Sequence, residues 1–377
     1  MPSSSVNAQL KQLRLTAALG LPAYQAMALI TAQVERLIGC SFANFFWLDG
    51  EGRPCDAYLR DYLPEAMDAF VGNHAALERD PREPTLDKYA ALPPRVGAGR
   101  MLIEGPEFRR TLVYNDVFRP YRIEGSLELV VREPSGRARG ILMVNRSTNR
   151  QTWTRREAAI LAAIHDHVLA ALAGPAVKPD VACSATMDDS AHLLVDGGGQ
   201  IEYSAGNAIT LAMQHADLAF SPDFDFSALG QKLTPALHAL LDRAATIRRG
   251  LPSPPAHEVR RTRHGEITAR VLHCNPGPAG EWKSCGPSDE RYMVCLERRP
   301  PLAAIVLGNA AALPLSAREQ ELAVFLALGL SSTEAAERMA ISLTTLRTYL
   351  KSVYNRTDVA GRSGLLALLR GGSPPAA

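Results

Sequence analysis

Long apolar runs, paired cysteines and a strong charge of either sign are all missing from this sequence of 377 residues. No run approaches the roughly 18 apolar residues that a transmembrane helix needs, and the opening MPSSSVNAQLKQLRL lacks the basic start and apolar centre of a secretion signal. The six cysteines are widely spaced and form no C-x-x-C pair, which argues against a zinc site or a disulfide framework. We therefore expect a soluble, cytoplasmic protein with reduced thiols, no metal site and no membrane partner.

Patterns of catalytic residues are missing as well. Ser204, His215 and Asp217 are candidate triad types, but they lack the nucleophile elbow and oxyanion glycines of a hydrolase. The run Gly197–Gly199 lacks the Lys-Ser of a phosphate loop and is interpreted as a hairpin turn. We expect no enzyme activity and no cofactor. Residues of types that cofactor-binding domains use are interpreted as ordinary core or surface residues: Cys183, His192, His215 and His238.

The composition is that of a folded chain with more than one domain. Hydrophobic residues make up 46% of the sequence and charged residues 21%, and the length exceeds a typical domain of about 100–150 residues. The net charge of +2 is carried by residues 315–370, where seven basic residues oppose five acidic ones. The remainder is close to neutral, so bulk charge does not predict nucleic-acid binding by the N-terminal region.

Two helix starts are marked near the C-terminal end of the sequence. Ser316 with Glu319, and Ser331 with Glu334, form S-x-x-E capping boxes, in which hydroxyl and carboxylate satisfy backbone N–H groups at a helix start. Gly329, between them, suits the left-handed conformation that closes a helix. Residues 315–369 therefore predict a set of four short helices separated by tight turns.

A third helix is expected over residues 343–356, with Ser342 as its N-cap. At about 100° per residue, one arc is apolar and is expected to pack: Leu343, Leu346, Leu350 and Val353. The other arc is polar, has no carboxylate and is expected to bind: Thr344, Arg347, Thr348, Lys351 and Asn355. Arg and Lys donate to guanine or phosphate, and Thr meets a base edge. This pattern predicts a helix that lies in the major groove of double-stranded DNA.

Charge placement agrees with this prediction. Residues 343–370 contain five basic residues and one acidic residue, Asp358, whereas residues 315–342 contain two basic and four acidic residues. Positive potential is therefore expected on the half that would face the duplex.

The segment resembles the C-terminal helix-turn-helix domain of LuxR-type (NarL/FixJ-type) transcription factors. These residues carry the resemblance: Leu315, Ser316, Arg318, Glu319, Leu322, Gly329, Ser331, Glu334, Ala336, Ile341, Ser342, Thr345, Leu346, Arg347, Val353, Val359 and Arg362. The resemblance implies base or phosphate contacts by Arg347, Thr348 and Lys351. Two positions depart from the family pattern, since Tyr349 replaces the usual His and Thr357 a usual Leu. The full set expected to contact DNA is Thr344, Thr345, Arg347, Thr348, Tyr349, Lys351, Asn355 and Arg356.

The sequence of the first half of the chain predicts an antiparallel sheet with flanking helices. Residues 27–38 have helical periodicity, residues 42–58 predict a hairpin, and residues 127–145 predict two further strands. A helix opening with Thr154 and Glu157 follows. This order resembles a GAF domain over residues 21–173, which implies a six-stranded sheet, a small-molecule pocket and a terminal helix that pairs in a dimer. The preceding residues 1–20 are expected to be a mobile or dimerising arm.

The middle of the chain resembles a PAS domain over residues 187–299. Strands are predicted at residues 192–195, 200–204, 258–263, 266–273 and 291–296, and Asn207 opens a helix after the first hairpin. Pro276–Pro287 is expected to be a long hairpin loop. Linkers are expected at residues 174–186 and 300–313, and a tail at residues 372–377.

The predicted fold class is multidomain α+β, with two antiparallel-sheet domains followed by an all-α four-helix domain over residues 314–371. We interpret the chain as a one-component transcription regulator that binds DNA, forms a homodimer and responds to a small-molecule effector; RNA polymerase is a further candidate partner. The first 120 residues lack the acidic cluster of a phosphoacceptor receiver. The W-x-x-x-Y-D pattern of acyl-homoserine-lactone sensors is also missing. The alternatives that stay open are an adaptor acting through protein contacts and, less favoured, a GAF-type enzyme.

Overall fold

The structure, a computed structural model, describes residues 4–59, 77, 79–92, 107–147, 153–173, 189–218, 230–274 and 290–371. The predicted linker at residues 174–186, the loop Pro276–Pro287, the tail at 372–377 and two cysteines, Cys183 and Cys285, lie outside these ranges. Within them, no helix combines the length and the apolar character needed to cross a membrane.

The first sheet is antiparallel, with strand order β2-β1-β4-β3 in the described part of the chain. Its strands are β1 Phe42–Leu48, β2 Pro54–Tyr58, β3 Ile123–Arg132 and β4 Ala138–Ser147. The predicted hairpin is confirmed, because β1 pairs with β2 and Asp49 Oδ1 accepts hydrogen bonds from the backbone N–H groups of Glu51 and Arg53 in the turn. The resemblance implied six strands; four are described here.

Side chains alternate between two faces of the first sheet, as the strand repeat of two requires. Ala43 and Phe45 of β1 point to one face, which is covered by helices. Phe42 and Phe46 point to the other face, which is covered by α3 Leu86–Ala91 and the helical turns at Phe108–Tyr121. We call these the helix face and the cavity face.

The helices against the helix face are α1 Ser4–Ala18, α2 Ala23–Ile38, α4 Arg155–Ala163 and α5 His165–Leu172. The prediction for α2 is confirmed, since its apolar stripe is buried and Gly39 closes it with φ 72°. The expectation that the arm at residues 1–20 is mobile is wrong, because residues 4–18 form a helix that packs on α2 and α5 and buries Leu13 fully. A dimerising role of this arm stays a prediction. The predicted helix after Thr154 has its capping box but is divided at Ile164.

The second sheet has five antiparallel strands in the order β6-β5-β9-β8-β7 within the described residues. They are β5 Asp189–Asp196, β6 Ile201–Ala205, β7 His257–Thr262, β8 Gly265–His273 and β9 Arg291–Arg299. All five predicted strands are present, with ends shifted by a few residues. Helices α6 Ala208–His215 and α7 Pro235–Arg248 cover one face and bury its apolar residues.

The C-terminal part is helical: α8 Leu302–Ala312, α9 Ala317–Ala327, α10 Ser332–Met339, α11 Leu343–Thr357 and α12 Arg362–Arg370. The linker expected at residues 300–313 is wrong, because α8 buries Val306 and Leu307 against α12 and α9. Asn309 fixes this packing by donating to the Leu369 carbonyl over 2.9 Å.

The N-terminal helices and the C-terminal bundle share one continuous apolar cluster. Helix α1 contacts α9, and Gln12 donates to the Leu307 carbonyl over 3.3 Å. The bundle is therefore attached directly to the helices that cover the first sheet.

Candidate nucleic-acid interface

The capping boxes predicted from the sequence position α9 and α10. The backbone N–H of Glu319 donates to Ser316 Oγ over 3.4 Å, and that of Glu334 donates to Ser331 Oγ over 3.2 Å. In return, the carboxylate of each glutamate accepts a hydrogen bond from the backbone N–H of its serine. Burial acts to raise the pKa of Glu319, but hydrogen bonds from Ser352 and Ser316 outweigh it, and the pKa lies below its ordinary value.

A three-residue turn joins α10 to α11. Ala340 closes α10 in the left-handed region with φ 54°, and the backbone N–H of Thr345 donates to Ser342 Oγ over 3.1 Å at the start of α11. Buried Leu346 and Val353 hold α11 against the bundle. This is the helix-turn-helix arrangement that the sequence predicted.

The polar arc of α11 faces solvent. Thr344, Arg347, Thr348, Lys351 and Asn355 are all exposed. Arg347, Lys351 and Asn355 make no hydrogen bond or ion pair with any residue that the structure describes. Thr348 Oγ1 donates back to the Thr344 carbonyl over 3.2 Å. The arc therefore presents two cations and short polar groups to an outside partner.

Three further predicted contact residues, which lie outside the polar arc, also make contacts inside the protein. Thr345 Oγ1 shares a hydrogen bond of 2.9 Å with Ser342. Tyr349 is half-buried against the apolar core. Arg356 donates to the Pro314 carbonyl over 3.1 Å and lies 3.6 Å from Glu319. These side chains fix α11 in place, and their role at DNA stays a prediction.

One residue expected to pack is exposed. Leu343 begins α11 and is 44% exposed, whereas Leu346, one turn later, is 1% exposed. The apolar arc was predicted from periodicity alone, but a side chain in the first turn extends beyond the neighbouring helix. Leu343 therefore lies beside Thr344 at the exposed end of α11.

The five basic residues in 343–370 fall into two groups, those that bind the bundle itself and those that have no partner in the described protein. Arg362 donates to the Leu330 carbonyl and Arg370 to the Ala327 carbonyl, both over about 3 Å, so they satisfy carbonyl groups at or beyond helix ends. Together with Arg356, they serve the bundle itself. Arg347 and Lys351 are the cations of this stretch that remain without protein partners among the described residues.

A buried link between α9 and α11 was not predicted. Ser352 Oγ donates to Glu319 Oε1 over 2.5 Å, and Glu319 is 4% exposed. The sequence identified Glu319 only as half of a capping box, because nothing in a local pattern relates residues 33 positions apart. The link joins α9 and α11 through their side chains.

The catalytic triad considered in the sequence has other partners here. His215 Nε2 lies 3.9 Å from Glu258, and Asp217 Oδ1 lies 3.2 Å from Arg263. Burial lowers the pKa of His215 to about 4, so the ring is neutral at pH 7 where it lies buried beside the second sheet.

Comparison with known proteins identifies the C-terminal bundle. Residues 313–369 match the family model described as bacterial regulatory proteins, luxR family. The resemblance drawn from the sequence is confirmed for this domain, and the domain indicates a DNA-binding transcription regulator. No curated protein matches the chain.

Proposed function

We propose that the chain is a one-component transcription regulator, in which GAF-like and PAS-like domains control promoter binding by the C-terminal helix-turn-helix. One observation carries the DNA-contacting part of the proposal. Arg347 and Lys351 project from α11 without partners in the described protein, on the face opposite buried Leu346 and Val353. Cations in that position suit guanine edges and phosphates of a major groove.

Control by the N-terminal region is supported by its attachment to the bundle. Helix α1 packs on both the first domain and α9, and Gln12 reaches the Leu307 carbonyl. A ligand that binds one arrangement of α1 better than another shifts the population of that arrangement. The position of α11 would follow through the Glu319–Ser352 link.

Dimerisation is part of the proposal, because a helix-turn-helix dimer reads two half-sites spaced by a turn of DNA. The GAF resemblance implied pairing through the terminal helix, but the apolar residues of α5 are covered by α1 of the same chain. The exposed face of the second sheet offers another surface. Tyr203, Leu194, Met293 and Leu272 form one row across four strands, and Tyr203 is 64% exposed. We assign this row to a second copy.

Selection of bound sequences from a random duplex pool tests the proposal with the full-length chain. We expect enrichment of an inverted repeat by the wild type and loss of enrichment by Arg347→Ala/Lys351→Ala. If the enriched sequences contained a single half-site without an inverted repeat, the chain would bind DNA as a monomer and the dimer would be wrong. If the wild type enriches nothing under any condition, the adaptor function replaces DNA binding.

A further inference from the structure

A cavity of about 90 Å³ lies under the cavity face of the first sheet. This is several times the roughly 10–15 Å³ that one water molecule needs by a comparable measure. Most of the wall is apolar and aromatic, and includes Phe42, Phe46, Tyr89, Phe108 and Phe118. Small-molecule sites have this character, with a few placed polar groups in an apolar wall.

Polar side chains interrupt this wall in adjacent rows of the sheet. Ser126 pairs in register with Asn145, and two residues further along β3, Glu128 pairs with Met143. Strand periodicity places all four on the cavity face. Ser126 is 2%, Asn145 1% and Glu128 0% exposed. A carboxyl group is therefore fully buried in the cavity wall.

The polar groups in this wall are only partly satisfied. Ser126 Oγ donates to Glu128 Oε1. Glu128 Oε2 and Asn145 Oδ1 have no hydrogen-bond partner among the described residues. A polar atom that is buried without a hydrogen-bond partner destabilises the folded protein. Two unpaired polar oxygens lie on one cavity wall. Both accept hydrogen bonds once the carboxyl is ionised, so the wall suits a ligand that brings at least two hydrogen-bond donors and favours the carboxylate.

The charge of the wall narrows the chemistry further. The described lining residues include one acidic side chain, Glu128, and none that is basic. Aromatic faces attract cations through their quadrupole, and a buried carboxyl accepts strongly from a charged donor. We propose that this cavity binds a small organic amine in its protonated form, with an apolar or aromatic body against the phenylalanines and its ammonium group donating to Glu128 and Asn145.

Protonation of the empty site provides an independent readout. Burial raises the pKa of Glu128 to about 8, against smaller lowering effects of the Ser126 and Tyr89 hydroxyls. The carboxyl is therefore mostly protonated at pH 7 without ligand. An ammonium group favours the carboxylate, so binding releases close to one proton per molecule from Glu128. Tyr89 is the other titratable group among the described lining residues.

The ligand class rests on the proposed sensory role of the first domain, but binding is measured without DNA. The probes are 2-phenylethylamine, 2-phenylethanol and phenylacetate, which share one body and carry a cation, a neutral group and an anion. Isothermal titration with the full-length chain should show the amine binding at least tenfold more tightly than the alcohol, with no binding of phenylacetate. Titration in two buffers of different ionisation enthalpy should give a release of close to one proton at pH 7.

The matched variants are Glu128→Gln and, on the same strand, Glu124→Gln. Glu128→Gln should weaken amine binding at least tenfold and abolish proton release, whereas the exposed Glu124 is replaced without effect. Equal binding of alcohol and amine, preference for phenylacetate, or no binding of any probe by folded wild type overturns the proposal. If the Glu128→Gln variant does not fold, the number of protons that the wild type releases on amine binding tests the proposal by itself: close to one supports it, and none overturns it. If the amine binds but DNA affinity stays unchanged, the ligand class is supported and the proposed control of DNA binding is wrong. Failure of the ligand proposal is therefore distinguishable from failure of the proposed function.

Discussion

Helix α11 and the cavity under the first sheet both contain ionisable groups with unused hydrogen-bonding capacity, but one set lies in water and the other in the protein interior. Arg347 and Lys351 project into water, where an unpaired cation remains solvated. Glu128 is fully buried and has one oxygen unpaired within the described protein, where the missing hydrogen bond carries a free-energy penalty. The exposed cations therefore carry no free-energy penalty in the unbound protein. The buried oxygen of Glu128 does carry one, and a hydrogen-bond donor in the cavity would remove it.

The comparison shows why the exposed interface could be predicted from the sequence and the buried cavity could not. A solvent-facing arc repeats every three or four residues and is visible in one helix. The polar residues of the buried wall lie on two paired strands, β3 and β4, and in the sequence they look like ordinary strand residues, because neither their burial nor the cavity beside them leaves a local pattern.

The largest expected effect tests which side of α11 is buried. Leu346→Ala should lower the free energy of local opening of the bundle by about 2–5 kcal/mol, because a fully packed side chain is lost. Leu343→Ala should change it by no more than about 0.5 kcal/mol, because that side chain is half exposed. Hydrogen exchange of amides in α9 to α12 measures both. If both variants lowered the free energy of opening equally, Leu343 would have to be packed against the bundle, contrary to its exposure here.

The next effect concerns the exposed face itself. Arg347→Ala and Lys351→Ala should each weaken DNA binding by about 1–3 kcal/mol, since each removes a donor to base or phosphate. Arg156→Ala, which removes the same charge from an exposed position of the first domain, should change affinity little. Fluorescence anisotropy with a labelled duplex measures the three. Losses as large in Arg156→Ala would mean that net charge alone drives binding.

Glu128 in the cavity should make stability depend on pH in the direction opposite to that of an acid whose pKa is lowered by folding. Because the folded pKa of Glu128 is about 8 and the unfolded value is close to the ordinary 4.5, the unfolded chain loses its proton first as pH rises. Glu128 therefore lowers stability between about pH 4.5 and 8, by up to about 1.4 kcal/mol per pH unit.

Glu128→Gln should remove this slope. Thermal unfolding of the wild type and the variant at pH 5 and pH 8 checks the difference, with Glu124→Gln as control. A difference that is the same at both pH values would show that Glu128 is not protonated in the folded chain.

The smallest expected effect tests the link between α9 and α11. Ser352→Ala removes a donor to buried Glu319 and should destabilise the bundle by about 1–3 kcal/mol, toward the lower end because the capping box remains. The folded pKa of Glu319 is lowered, so this stabilisation is present above the ordinary glutamate range and is lost as pH falls through the folded pKa. Ser363→Ala, at an exposed position of α12, is the control. A Ser352→Ala variant with unchanged hydrogen exchange would contradict the link.

Local sequence signals predicted much of the fold. The spacing of apolar residues located α2, the hairpin of the first sheet, the strands of the second sheet and α9 to α11, because each of these elements follows its own repeat. Helices α1 and α8 were missed. The first looks polar apart from Leu13 and its neighbours, and the second follows two prolines; both are helices that pack on partners distant in sequence.

The candidate interface was predicted in part for the same reason. Helical periodicity identified the exposed arc containing Arg347 and Lys351. It did not show that Arg356 binds the Pro314 carbonyl or that Ser352 binds Glu319, since both partners lie on another part of the bundle. The buried wall at Glu128 needed the strand register before its polar residues could be placed together.

The most direct test of the account is the salt dependence of duplex binding by the full-length chain and by Arg347→Ala/Lys351→Ala. Phosphate contacts release counterions, so the logarithm of the wild-type association constant should fall steeply with the logarithm of salt concentration. The variant should bind more weakly, with a slope reduced by about one for each cation that contacts phosphate. Identical affinity and slope in the two proteins would contradict the claim that α11 is the DNA-contacting helix.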